Sequence, residues 1–174
     1  FKYDSAGSFS EGLAAVLLYE KWGYIDKTGK EVVPLIYDSA GSFSEGLARV
    51  KLNSKWGYID KTGKEVIPLK YEWAHPFFEE LAAVQLNGKC GYIDKNGFEV
   101  IPFKYDSTYK FSEGLAGVQL NGKWGYIDKT GKEVIPLKYN GDMDFVVNRF
   151  SEGFAAVHYG LWGYIDKNGT EFFE

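Results

Sequence analysis

Two carboxylates recur at fixed places along this chain. A glutamate stands just ahead of a tight-turn position at Glu11, Glu45, Glu79, Glu113 and Glu152, and an aspartate follows Tyr-Ile at Asp26, Asp60, Asp94, Asp128 and Asp166. Two acids flanking one bond are the equipment of glycoside hydrolysis, one protonating the leaving oxygen while the other attacks or activates water. Five equivalent pairs do not make one catalytic centre, so the acids read as turn-forming Asp and loop-capping Glu. The Asp-Lys-Thr-Gly string lacks the alternating oxygen ligands of a calcium loop. His75 and His158 are the only histidines and Cys90 the only cysteine. Neither histidine has a second ligand at metal-binding spacing, and a zinc site would require the fold to join both to Cys90. No Ser-His-Asp arrangement can be argued from them, and the glycines never form a phosphate loop ahead of a helix. The expectation is a protein that is not an enzyme, with no cofactor and no metal.

These acids are positioned by a repeat. Lys-Trp-Gly-Tyr-Ile-Asp recurs with Trp22, Trp56, Cys90 and Trp124 spaced 34 residues apart and Trp162 38 residues further on. A fixed period in this range marks a repeat architecture. Each unit reads Phe-Ser-Glu-Gly-Leu-Ala-Ala-Val, a turn, the Trp-Gly string, a second turn, then Lys-Glu-Val-Ile-Pro-Leu-Lys-Tyr-Asp and a connector. Three antiparallel strands per unit are predicted. The Ala-rich strand is short and apolar, as a strand buried on both faces would be. Asn87-Gly88 and Asn121-Gly122 favour a two-residue hairpin, which Glu20 and Ser54 form less ideally, and Asp-Lys-Thr-Gly favours a type I turn closed by a left-handed glycine. In the middle strand Trp22, Tyr24 and Asp26 share one face, while Gly23 and Ile25 share the other.

The glycine after each Trp (Gly23, Gly57, Gly91, Gly125 and Gly163) is expected to admit an aromatic ring or backbone from the next unit. Pro34, Pro68, Pro102 and Pro136 cannot donate to a ladder and place the third strand at an outer edge. The predicted order is Ala-rich strand innermost, Trp-Gly strand in the middle, Pro-bearing strand outside, with a connector able to hold one short helical turn. Cys90, where other copies have Trp, reads as a small buried hydrophobe.

Composition fits a folded domain. Hydrophobic residues make up 45%, aromatics 18%, and the net charge is −4 over 174 residues, unlike the low hydrophobicity and high charge of disordered chains. Mild acidity without clustered Lys and Arg gives no reason to expect nucleic acid or an anionic membrane. No apolar run reaches the length of a membrane span, which excludes helical insertion. The chain begins within a unit, without an initiator Met, and reads as a fragment or mature portion.

The Trp-Gly-Tyr-Ile-Asp, Gly-Lys-Glu-Val-Ile-Pro, Tyr-Asp and Phe-Ser-Glu-Gly-Leu-Ala strings resemble the bacterial WG-repeat (KWG-repeat) family, and the resemblance covers essentially the whole chain. It implies a widespread repeat without an established common activity, taken to mediate interactions. It leaves the compartment open, with an exported or cell-surface location as the guess. The hairpins also look faintly like cell-wall and choline-binding repeats, whose units are shorter.

The end of the chain carries half a third strand, and Phe1-Lys2-Tyr3-Asp4 supplies the other half. The expected architecture is therefore all-β: a single domain of units about 8–41, 42–75, 76–109, 110–148 and 149–174, the last completed by 1–7, closed into a five-bladed propeller-like ring. An open β-solenoid is the alternative.

Function is sought where the pattern breaks. The four tryptophans Trp22, Trp56, Trp124 and Trp162, with their tyrosines, are core if the next unit covers them and a platform for sugar rings or peptide side chains if it does not. Unit three carries Glu72-Trp73-Ala74-His75-Pro76-Phe77-Phe78 in place of the usual connector. A second departure is an insertion around residues 140–149. Trp73, His75, Phe78, Asp142, Met143, Phe145 and Arg149 are the candidate partner contacts, since connectors commonly carry function. The leading expectation is a monomeric module binding a protein or peptide through connector loops. A carbohydrate or cell-envelope binding module and a purely structural spacer are the alternatives.

Overall fold

The computed structural model describes residues 2–140, 149–158 and 162–173. Within them the chain forms five separate antiparallel sheets in chain order. The first holds β1 (Ser5–Ala6), β2 (Leu13–Leu18), β3 (Lys21–Asp26) and β4 (Glu31–Tyr37); the second β5 (Ser39–Ala40), β6 (Ala48–Leu52), β7 (Lys55–Ile59) and β8 (Glu65–Tyr71). The third holds β9 (Trp73–Ala74), β10 (Ala82–Leu86), β11 (Lys89–Ile93) and β12 (Glu99–Tyr105), and the fourth β13 (Ser107–Thr108), β14 (Leu115–Leu120), β15 (Lys123–Asp128) and β16 (Glu133–Asn140). The fifth has β17 (Phe154–His158), β18 (Trp162–Asp166) and β19 (Glu171–Phe173).

Strand order follows the sequence in every sheet, with the Pro-bearing strand on the outer edge as its prolines require. The connector differs from expectation. The four described connectors form no helical turn but a two-residue strand on the free edge of the Ala-rich strand, so the Ala-rich strand is not innermost in those sheets. Asp4 N–H donates to the Leu17 carbonyl and Gly7 N–H to Ala15, each at 2.8 Å, and the second connector repeats this through Asp38 to Lys51 and Gly41 to Arg49. The edge offers carbonyls that a helical turn would leave unpaired.

The first hairpin turns have both central residues at positive φ, with Asn87 at 52° and Gly88 at 74°. Tyr19 and Glu20, at 48° and 63°, take the same shape without the favoured residues. An acid from the end of the preceding Pro-bearing segment offsets this cost by capping the turn. Asp4 accepts from Tyr19 N–H at 2.9 Å, Asp38 from Asn53 N–H at 2.9 Å and Asp106 from Asn121 N–H at 2.7 Å.

The glycine after each Trp admits a neighbour as expected, but the neighbour is different. A Cβ on Gly57 would stand 2.6 Å from the Ile67 carbonyl oxygen and 2.8 Å from Leu69 N, and on Gly23 2.5 Å from the Val33 carbonyl oxygen. The close approach is the outer strand of the same sheet, not the next unit. Trp22 pairs with Tyr37 and Tyr24 with Val33, so Pro34, Leu35 and Ile36 bulge opposite Gly23 alone. A proline without a donor is accommodated in that bulge. The fifth sheet pairs Tyr164 with Phe172 and Gly163 with Phe173 without a register shift.

The core lies between consecutive sheets. Leu13, Tyr24, Val33 and Tyr37 of the first sheet pack against Phe43, Ala48, Val50 and Ile59 of the second, and equivalent residues fill the next three seams. Period-two alternation does this: the tyrosine of the middle strand faces the following sheet and the isoleucine faces the preceding one.

No equivalent seam joins the fifth sheet to the first among the described residues. Tyr164 is 59% exposed and Phe9 49%, where Tyr24 is fully buried and Phe43 is 2% exposed. The five-bladed closed ring is thus corrected to an open, propeller-like array. Residues 4–7 are engaged on β2 of their own sheet, so the N-terminal segment does not complete the outer strand of the fifth.

Candidate functional site

The atoms that recur from unit to unit build the seams. The Phe-Ser-Glu-Gly string closes as a two-residue loop, with Ser10 and Leu13 exchanging backbone bonds at 2.9 and 3.1 Å and Glu11 at φ 51° between them. This places the glutamate against the next unit. Glu11 accepts from Gly46 N–H at 3.1 Å and pairs with Lys61 at 2.9 Å. Glu45 does the same with Glu80 N–H and Lys95, Glu79 with Gly114 N–H and Lys129, and Glu113 with Gly153 N–H and Lys167. Ser10, Ser44 and Ser112 donate their hydroxyls to the Phe43, Phe77 and Phe150 carbonyls at 2.7 to 2.8 Å.

Tyrosines complete the clasp. Tyr24, Tyr58 and Tyr92 donate to the carbonyls of Gly41, His75 and Tyr109 at 2.6 to 2.7 Å, and their rings meet Phe43, Phe77 and Phe111 at centroid distances of 4.9 to 5.0 Å. Such pairs add about 0.5–1.5 kcal/mol beyond the area they bury.

The aspartates are turn formers. Asp26 accepts from Thr28 N–H at 2.9 Å, Thr28 Oγ1 at 2.6 Å and Lys30 N–H at 3.0 Å. The Thr28 hydroxyl is the largest cause holding the Asp26 carboxyl below its ordinary range, and Lys61 holds Glu11 low, with Gly46 N–H adding to it and partial burial opposing. Asp60, Asp128 and Glu113 are shifted in the same direction by Thr62, Thr130 and Lys167. A carboxyl whose folded pKa is depressed contributes stability above its unfolded value, about 3.9 for Asp and 4.3 for Glu, and loses it as pH falls through the folded value. The melting temperature is therefore expected to be flat through neutral pH and to drop below about pH 4, with Glu11→Gln shrinking the drop. Melting followed by circular dichroism across acid pH checks this; a curve that stays flat into strong acid would refute it.

The structure joins some of the expected contacts. Asp142, Met143 and Phe145 lie outside the described residues. Trp73 and His75 meet edge to face at 4.1 Å, both half-buried, and Trp73 packs on the seam between the third and fourth sheets. Burial, with Arg49 and Lys110 nearby, lowers the His75 pKa to about 4, so the ring is neutral at physiological pH. Phe78 replaces the clasping serine, and Lys110 Nζ sits 3.4 Å from its ring centroid. Exposed Arg149 lies close enough to Lys110 to lower its pKa, after the larger effect of burial.

Two members of this group were missed in the sequence. Arg49 stands where other units have Ala or Gly; its Nη1 donates to the Ala74 carbonyl, its Cζ lies 5.0 Å from the Trp56 ring, and its buried Nε has no acceptor. Lys110 stands where the second unit has Ser42. Both are departures from the repeat and were findable as such. The tryptophans divide: Trp124 is buried under Tyr109 at 5.2 Å, Trp22 and Trp56 are half-buried, and Trp162 is exposed beside His158. Cys90 is buried, which raises its thiol pKa.

The profile of a family described as the WG containing repeat matches residues 1–22, 22–56, 56–90, 91–124 and 124–159. This chain is a member of the WG-repeat family. That profile cuts its WG units at the Trp position, Cys90 in the third, so the stretches from residue 22 onward each run from one sheet into the next. No curated protein matches the sequence. Among solved structures the WG array is similar to a eukaryotic initiation factor, with TM-score 0.65 and 9% identity over 99% of this chain and 55% of that one. It is also similar to Hsv2p of Kluyveromyces lactis, with TM-score 0.58 and 9% identity over 98% of this chain and 62% of that one. These are propeller-like folds, and at such identity the likeness speaks of fold alone. The WG array spans 55% of the first.

Proposed function

We propose that this WG array is a non-enzymatic interaction module that binds an acidic peptide segment of a partner protein along its connectors. The observation carrying this reading is that Arg49 and Lys110 stand by the neutral His75, with Arg149 near Lys110. None of the three cations has a carboxylate partner among the described residues, whereas eight lysines elsewhere are ion-paired. Arg49 over the Trp56 ring and Lys110 over the Phe78 ring offer charge and apolar surface together, the mixture enriched at protein interfaces. Glu11, Glu45, Glu79 and Glu113 and the turn aspartates already hold bonds, which weighs against a reaction at the repeated acids. Burial of Tyr24, Tyr58, Tyr92 and Tyr126 weighs against a repeated sugar platform.

A fluorescent Glu-rich peptide titrated by anisotropy is expected to bind with a salt-dependent affinity, and Lys110→Glu to weaken it about tenfold by setting like charge against it. Equal binding of a Lys-rich peptide, or indifference to Lys110→Glu, would overturn the reading and leave the structural spacer.

A further inference from the structure

Arg49 breaks the repeat where an arginine is costly. Its position in the Ala-rich strand holds Ala15, Ala83, Gly117 and Ala156 in the other units, so the packing of a sheet does not require it. Its Nη1 donates to the Ala74 carbonyl and its Cζ lies 5.0 Å from the Trp56 ring, while its Nε–H is buried without an acceptor among the described residues. A guanidinium stays charged at any physiological pH, and a buried donor of a charged group is unfavourable until an acceptor meets it. Gly41 leaves room beside that donor: a Cβ there would stand 3.1 Å from Nε and 3.0 Å from Cγ of Arg49, its nearest neighbours. Arg49 and Lys110 both act electrostatically on the His75 ring, and Arg149 acts on Lys110. No described carboxylate pairs with any of the three cations. Arg149 is exposed and the other two are partly so, which leaves the group open to solvent.

We infer that Arg49 anchors a phosphate monoester carried on a side chain of the acidic peptide, an inference that rests on the acidic-peptide reading above and sharpens its chemistry. A phosphorylated side chain brings close to two negative charges and three strong acceptor oxygens at neutral pH. A carboxylate brings one charge and two oxygens. With three cations unpaired, the second charge offsets a cation that a single carboxylate would leave bare, and a further oxygen remains for Lys110 once Nε–H is met. A planar guanidinium fork also suits phosphate geometry better than an ammonium does. The peptide on either side of the phosphate lies within reach of the Trp73 and Phe78 connector, which free phosphate would not use.

The test is fluorescence anisotropy on the full chain with Glu-flanked peptides that differ at one central residue, which is serine, glutamate or phosphoserine. The phosphoserine peptide is expected to bind about tenfold or more tighter than the glutamate peptide, the size of one added charge-assisted hydrogen bond. Arg49→Ala restores the residue of the first, third and fifth units, and circular dichroism and melting verify that it folds. It is expected to reduce that preference to about twofold or less, and Arg49→Lys, which keeps the charge without the fork, to do the same. Inorganic phosphate is expected to displace the phosphopeptide only at about a hundredfold or more above the peptide's Kd, because it lacks the flanking contacts. Equal binding of the phosphoserine and glutamate peptides overturns the inference and leaves the acidic-peptide reading standing. Binding of none of the peptides overturns both. A preference that survives in either Arg49 variant overturns the inference, as does inorganic phosphate that binds as tightly as the phosphopeptide.

Discussion

Replacing Phe77 by alanine is expected to cost about 3–5 kcal/mol, the range for removing a large buried aromatic. The ring is fully buried, packs on Tyr58 at 4.9 Å, and lies in the seam joining the second and third sheets. Little around it can collapse into the space, because the strands on both sides are fixed by their ladders. Phe9 is the same residue of the first unit, yet it is half exposed. Phe9→Ala should stay within about 0.5 kcal/mol of wild type at low protein concentration. Chemical denaturation of the two variants side by side measures the contrast. Equal losses would mean that Phe9 is covered in solution and that the array closes on itself, which would overturn the open architecture.

The second large effect is expected at Gly57. Its missing side chain faces backbone atoms of Ile67, Pro68 and Leu69 at 2.6 to 2.8 Å, and backbone cannot step aside as a flexible side chain can. Gly57→Val is expected to push the bulged outer strand away and to destabilise the protein by about 3 kcal/mol or more, the upper end for overpacking. That corresponds to a fall in melting temperature of roughly 6–12 °C for a chain of this size. Gly12→Ala is the control. Gly12 also has positive φ, at 92°, but a Cβ there meets nothing within 4 Å, so only backbone strain of order 1–2 kcal/mol is added. If Gly57→Val melted no lower than Gly12→Ala, the close approach would not exist.

How much of this was legible in the sequence depended on whether the signal was local. Turn chemistry, strand alternation and the outer place of the proline strand are written in adjacent residues, and all appear in the structure. The glycine after Trp was rightly read as a close approach, but its neighbour lies ten residues along on a bulge that no local pattern announces. Likewise the clasping role of Glu11 depends on Gly46 and Lys61, 35 and 50 residues away by number, and only the fold brings them together. Ring closure was judged from matching half-strands at the two ends, a pattern that says nothing about curvature. The candidate site was partly visible: Trp73, His75 and Phe78 do gather with Arg149 through Lys110. Arg49 is less legible because its substitution lies within the Ala-rich strand and not in a connector.

The direction of the clasp also bears on how such a chain comes into being. Glu11, Ser10 and Tyr24 all reach forward to the following unit, and none of them needs anything that comes later than that unit. A chain synthesised from its N-terminus therefore presents each newly emerging unit with a finished surface on which to settle. At every moment only one tyrosine-lined face waits for its cover. Assembly can therefore follow the order of translation, one seam at a time.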